Sequence, residues 1–279
     1  MNVARALATY VHRQLGPQGY EAIKDRFIRN GRNSPTDEST RRNIGARFEA
    51  VHAHVPSQSS ATDALIVAEA ALSIGSDGDF VECGCFAGAM TAKLSIVASV
   101  LRKQLVVFDS FEGFPVVHAH EASDHHGRQT EACTWRTGGC RATLDEVSRN
   151  VTQFGDIVVC KFVQGWFDGT LTAANVPPRI ALAYTDVALP SSARTCLVRL
   201  WPFLANGGTY FSRDVALSKV LTELSDDALW KHELQCDRPL MFGAGFGLSD
   251  ASPYLGFMAK GGADAIQASV LRIFKPDTL

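Results

Sequence analysis

Hydrophobic residues change their rhythm along this chain near residue 79. Before that point they recur at three- and four-residue intervals, which predicts helices over Val3 to Leu15, Tyr20 to Ile28, Thr40 to His54 and Thr62 to Ile74. The last carries Leu65, Ala68, Glu69 and Leu72 at helical spacing, and the polar run Arg29-Asn-Gly-Arg-Asn-Ser-Pro35 separates the first two helices from the others. From Asp79 onward, short apolar runs alternate with amphipathic stretches. Strand 79–83 leads to helix 87–101, whose Ala87, Met90, Leu94, Ala98 and Leu101 share one face. Strand 104–109, a long loop from Ser110 to about Gly139, helix 141–154 and strand Ile157–Val163 follow. Then come strand Ile180–Thr185, helix 191–204 and a strand ending at Asp214, while Leu240 to Gly247 and Tyr254 to Lys260 supply two terminal strands.

Alternating β and α units predict an α/β fold, a mainly parallel sheet covered by helices on both faces, with ligands bound beyond the carboxyl ends of the strands. Residues 1–75 read as an N-terminal helical extension or lid and residues 76–279 as a Rossmann-like domain. With 46% hydrophobic residues the 279-residue chain can bury a full core. A formal net charge of −2 gives no electrostatic reason to expect nucleic acid as a partner, which leaves a small molecule. No apolar run approaches the roughly 20 residues that cross a bilayer, and Met1 to Gln14 lacks the pattern of a signal peptide, so a cytoplasmic protein is expected. The seven cysteines are odd in number and scattered, as reduced thiols would be. Cys83 and Cys85 flank a glycine and read as turn-packing residues rather than zinc ligands.

The chemistry concentrates at the strand ends. Glu82, Gly84 and Gly88 form an E-x-G-x-x-x-G turn into a helix, where glycine lets backbone approach a ligand closely. Asp109 ends the next strand, where a carboxylate can accept both hydroxyls of a ribose. Gly165-Trp166, Asp186 and Asp214 fall at later strand ends. A nucleoside cofactor fits this convergence. An NAD-linked oxidoreductase would share the opening turn, but E-x-G-x-x-x-G departs from G-x-G-x-x-G and no Tyr-x-x-x-Lys pair is placed for hydride chemistry.

Phe80-Val-Glu-Cys-Gly-Cys-Phe-Ala-Gly88, Val107-Phe-Asp-Ser-Phe-Glu-Gly-Phe-Pro115, Gly165-Trp-Phe-Asp-Gly-Thr-Leu171, Thr185-Asp-Val187 and Leu200-Trp-Pro-Phe-Leu-Ala-Asn-Gly-Gly208 together resemble the TylF/macrocin O-methyltransferase family, in order and over roughly residues 45 to 225. The resemblance implies a class I methyltransferase fold with a seven-stranded sheet. It implies S-adenosylmethionine as methyl donor and an oxygen of a small molecule, hydroxyl or carboxylate, as acceptor. Mapped onto matching positions, Glu82, Gly84 and Gly88 would shape the methionine end of the cofactor, and Cys83, Thr91 and Asp186 would be further cofactor neighbours. Asp109 would hold the ribose, Ser110 and Phe111 would lie near the adenine, and Gly165 with Trp166 would cover its other side. A core or helix-start aromatic is the alternative for Trp166. Homo-oligomerisation is a further possibility that follows from the fold by analogy.

One part departs from the family. Where relatives gather magnesium with D-x-D after one strand and D-D after the next, this chain has Asp186-Val-Ala188 and Arg213-Asp214. Asp186 and Asp214 remain as metal ligands, a reduced set beside a guanidinium, so a magnesium cofactor is doubtful. Asp186, Arg213 and Asp214 are therefore the candidate catalytic residues: Asp186 would position or deprotonate the acceptor, and Arg213 would pair with an anionic group on it or make a structural salt bridge. The eroded acidic set also leaves open a fold that binds without turnover. His118, His120, His125 and His126, half of the eight histidines, lie in the long loop with Trp135 to Gly139, and that loop is a candidate for acceptor specificity.

Overall fold

The apolar runs pair into one sheet in the computed structural model, which describes residues 19–33, 36–73, 76–116, 118 and 136–261. Its strands are β1 (Asp79–Cys83), β2 (Leu105–Asp109), β3 (Cys160–Gln164), β4 (Ile180–Thr185), β5 (Leu204–Ser212) and β6 (Gly256–Ala259), in the spatial order β3-β2-β1-β4-β5-β6. The first five run parallel and β6 returns antiparallel against β5, with Tyr210 opposite Met258. The expected seven strands are six among the described residues. Leu240 to Gly247 is a loop that touches the sheet through a single bridge, Phe242 to Phe257. Left-handed glycines at Gly243, Gly245 and Gly247 bend that segment too sharply for a ladder.

Side chains along the strands alternate between two apolar layers. Phe80, Leu105, Val107, Leu182, Tyr184, Phe211 and Phe257 enter one; Val81, Cys83, Val106, Phe108, Ala183, Tyr210 and Met258 enter the other. The first layer is shared with α1 (Tyr20–Arg29), α2 (Glu38–His54), α3 (Ala61–Ser73), α4 (Ala89–Leu101) and α5 (Leu144–Phe154). The second is covered by α7 (Pro190–Leu200) and α8 (Ser218–Leu224), while the short α6 (Phe167–Thr170) follows β3. The helix over Val3 to Leu15 lies outside the described residues.

Local chemistry sets the element ends. Asp37 caps α2 by accepting the Thr40 amide at 2.8 Å, and Thr143 with Glu146 forms a capping box on α5. Helix α4 is shorter than its apolar face predicts and is buried on nearly every side from Ala89 to Ala98, because the sheet, α2, α3 and α5 all touch it. Residues 157–159 coil into a 3-10 turn before β3 begins at Cys160. Asp156 is pinned just ahead of that turn by Arg47, at 2.8 and 3.0 Å. Pro202, lacking an amide donor, turns the end of α7 into a 3-10 turn over Trp201–Phe203.

The helices before β1 are fastened by a buried ion pair. Arg41 of α2 is fully buried, bonds Glu69 of α3 through Nη1, and donates to the carbonyls of Phe27 at 3.0 Å and Thr36 at 3.2 Å. Its guanidinium also lies over the Phe27 ring. Four segments thereby converge on one cation, whose burial is tolerable only because its donors are used. Glu69→Ala should lower unfolding free energy by about 3–5 kcal/mol in urea titration, since it strands the Arg41 charge. The double substitution Arg41→Met with Glu69→Leu should lose far less.

Candidate active site

Strand order reverses between β1 and β4: the chain after β1 continues toward β2 and β3, the chain after β4 toward β5. Loops leaving adjacent strands in opposite directions open a crevice at their carboxyl ends. Gly84 begins the first loop at φ +82°, and a Cβ there would stand 2.3 Å from the Asp186 carbonyl oxygen, so glycine is required by both backbone angle and space. Gly88, at φ +84°, answers a different need. A Cβ on it would meet Val147 Cγ1 of α5 at 2.9 Å, away from the crevice.

Asp109 closes β2 at the crevice floor. Its Oδ2 accepts the Cys85 amide at 2.7 Å and its Oδ1 accepts the Phe111 amide at 2.7 Å. Two backbone donors thus fix the carboxylate in one orientation while each oxygen keeps capacity for another donor. Gly84, Cys85, Phe86, Ser110, Gly165 and the half-exposed Trp166 line the cleft beside it. Trp166 is at once a cleft wall and the residue preceding α6, so both sequence readings of it describe its position.

Five other expected cofactor neighbours, Glu82, Cys83, Gly88, Thr91 and Phe111, do not line the cleft. Phe111 is buried with its ring edge-on to Phe162 at 6.3 Å. Cys83 lies in the layer beneath α7, and burial pushes its thiol well up; the Cys85 thiol is raised in the same way. Glu82 is fully buried on the opposite face of β1, with neither carboxyl oxygen hydrogen-bonded, and the Thr91 hydroxyl is buried without a hydrogen bond as well. Burial first, then the Asp109 and Asp186 charges, push Glu82 up to about 8 against the opposing influence of Thr91.

The opposite wall comes from the segment Pro56–Ser59 between α2 and α3, with Asp186, Val187 and Ala188 after β4. Ser59 Oγ lies 3.0 Å from Tyr184 Oη and donates to Asp186 Oδ2 at 3.2 Å. Burial raises the Tyr184 phenol, and the Asp186 and Asp63 charges raise it further. Arg213 does not reach the cleft surface. It is 4% exposed, its Nε lies 3.0 Å from Asp63 Oδ2, its Nη2 donates to the Gln58 carbonyl, and its guanidinium covers the Tyr254 ring. Burial opposes its charge, but Asp63, Asp186, Tyr184 and Asp214 hold it above its ordinary value. The expected pairing of Arg213 with an anionic acceptor group therefore gives way to the salt bridge, because Asp63 already takes that cation. Asp214 is buried as well, and its Oδ2 accepts the amides of Val187 at 3.1 Å and Ala188 at 2.9 Å.

Sequence reasoning missed Pro56–Ser59, Tyr184 and Asp63. The Ser60-Ala-Thr-Asp63 pattern is a helix-start signature, and Asp63 does accept the Ser60 amide at 2.9 Å. Nothing in that signature announces the ion pair to Arg213. Cys140 lines the cleft and is disulfide-bonded, so the expectation of seven reduced thiols fails there, although Cys83, Cys85, Cys160, Cys196 and Cys236 are free. His118 is exposed, and His120, His125, His126 and Trp135 lie outside the described residues. Among the described residues no helix is long and apolar enough to cross a membrane.

The Lys93 ammonium on α4 is also buried without a hydrogen bond, and burial pushes it down to about 8. The native state binds the extra proton on Glu82 between pH 4.5 and about 8, so stability falls as pH rises through that window. The unfolded state binds the extra proton on Lys93 between about 8 and 10.5, so that group's contribution rises there. Thermal or urea unfolding of the unliganded protein should therefore pass through a minimum near pH 8, and stability should fall again above pH 9 as the raised Cys83, Cys85 and Cys160 thiols come into play. Glu82→Gln should flatten the falling limb by an amount on the order of a few kcal/mol, and Lys93→Met should flatten the rising one.

The chain matches the family model described as macrocin-O-methyltransferase (TylF) over residues 27–241. No curated protein matches it. Among solved structures, the O-methyltransferase NovP is similar at a TM-score of 0.52 and 18% identity, covering 79% of this chain and 78% of that one. CalS11, a calicheamicin methyltransferase, has a TM-score of 0.47 and 17% identity, with 88% and 95% covered. With its α/β sheet, its crevice at the strand-order reversal and a family match that spans most of its length, the chain belongs to the macrocin O-methyltransferase (TylF) family of S-adenosylmethionine-dependent O-methyltransferases.

Proposed function

We propose that S-adenosylmethionine binds along Gly84, Asp109, Ser110 and Gly165-Trp166, and that the methyl acceptor, a small molecule, sits against Asp186 and the Pro56–Ser59 wall. The observation that carries this reading is the Asp109 carboxylate, held by two backbone amides beside the Gly84 turn. Its remaining acceptor capacity faces the cleft where two vicinal hydroxyls can be bound together. The cofactor supplies an electrophilic methyl group on a positively charged sulfur. Because that displacement is intrinsically favourable, the protein's task is alignment and control of the acceptor's proton.

Asp186 is the residue proposed to take that proton. Asp186 lines the cleft, Ser59 Oγ donates to one of its oxygens, and its backbone amide donates a hydrogen bond to the Cys83 carbonyl at 3.0 Å. Glu82 serves the cofactor side from below: its buried charge is stabilised when a cation arrives above it. We further propose that residues 1–75 form a helical extension to the methyltransferase domain at 76–279 and contribute the acceptor wall. A cytoplasmic location and a homo-oligomer remain part of the same proposal, and the net charge of −2 supports a small-molecule rather than a nucleic-acid partner.

Asp109→Ala should weaken binding of S-adenosylhomocysteine by about 10- to 100-fold in calorimetry, the loss expected for hydrogen bonds to a charged acceptor. Undiminished affinity would remove Asp109 from the cofactor site. Asp186→Asn should keep that affinity within a few-fold while lowering kcat for the native acceptor by about 100-fold or more.

A further inference from the structure

The residues after β4 and β5 do not fit the magnesium ion that the family resemblance implies. Of the acidic residues after these two strands only Asp186 lines the cleft, and Ala188 lines it where D-x-D would carry the second acid. Asp214 is buried below, its Oδ2 turned to the amides of Val187 and Ala188. Arg213 brings a guanidinium among the carboxylates, paired with Asp63 and electrostatically coupled to Asp186 and Asp214. Among the described residues no group of three or more His, Cys, Asp or Glu side chains can hold a metal.

We infer that the Arg213 guanidinium is this enzyme's resident cation, held in place of a divalent ion, and that methyl transfer here is metal-independent. The inference rests on the proposed methyl-transfer cleft and adds how its acidic side works. Magnesium asks for several hard oxygen ligands, and a buried cation fixed by Asp63 both uses a carboxylate and repels a second cation. Its tether is also structural: Nη2 donates to the Gln58 carbonyl, so the same side chain holds the Pro56–Ser59 wall against Asp186. Arg213 is thus a positioning residue, acting through Asp186 and the wall rather than on substrate.

Ala188 stands at φ +59°, a left-handed conformation that aspartate tolerates better than alanine. Without a metal to lower its pKa, the acceptor oxygen gives its proton directly to the Asp186 carboxylate and takes the methyl group, and the electron pair of the broken carbon–sulfur bond stays on sulfur. A single carboxylate does this well for a phenol or a carboxylic acid and poorly for a sugar hydroxyl.

The test is Mn²⁺ titration, followed by calorimetry and electron paramagnetic resonance, on the full chain saturated with S-adenosylhomocysteine. It needs no turnover, so it reports on the acidic side even if the acceptor assignment fails. Wild type and Arg213→Lys should bind no Mn²⁺ at the site. Ala188→Asp alone should also bind none, whereas Ala188→Asp with Arg213→Asp should bind it about 100-fold or more tighter than wild type. Methylation of a panel of simple phenols and aromatic acids should change less than about twofold on adding EDTA. Stoichiometric Mn²⁺ binding by wild type, or by Ala188→Asp as tight as by the double variant, would overturn the inference, as would methylation of vicinal sugar diols that EDTA abolishes and Mg²⁺ restores.

Discussion

A parallel sheet whose strand order reverses has to leave its carboxyl ends uncovered at the reversal, and here that place lies between β1 and β4. The two loops diverge, yet they touch at one point, where Gly84 passes the Asp186 carbonyl too closely for any side chain. That contact brings the Gly84 turn and Asp186 into one crevice. The two halves are therefore coupled through backbone, and Asp186 adds a second link by donating its amide to the Cys83 carbonyl of β1.

Around this crevice the protein handles buried charge in two contrasting ways. Arg41 and Arg213 are each buried with a carboxylate beside them, Glu69 and Asp63 respectively, and each also donates to backbone carbonyls. Such pairs stabilise little in net terms, but they specify which segments meet, since removing either partner strands a charge. The side chains of Glu82 and Lys93 reach no hydrogen-bond partner, and burial drives both toward neutrality.

The difference between Arg41 and Arg213 lies in what they fasten. Arg41 joins helices to one another, well away from the cleft lining. Arg213 joins the sheet to the segment that walls the cleft, so the same side chain that pairs with Asp63 also holds that wall. Substitutions near Asp63 or Gln58 consequently belong to the site's energetics although they lie far from it in sequence.

The sequence by itself determined the alternation of elements, the glycine turn at Gly84 and the aspartate at the end of β2, because period, turn chemistry and strand-end position are local properties. It carried enough of the family pattern to imply the cofactor. It misjudged Leu240 to Gly247, where an apolar run reads as strand but closely spaced left-handed glycines prevent a ladder. Glu82, Gly88 and Phe111 stood in the right motif, yet only tertiary packing decided that Glu82 faces α4, that Gly88 meets Val147 and that Phe111 turns into the core. The same holds for Asp63, which local pattern marks as a helix cap and which the fold pairs with Arg213, 150 positions later. Side-chain partners of a buried cation come from whatever strands and helices the sheet order brings together, and that order is a property of the whole chain.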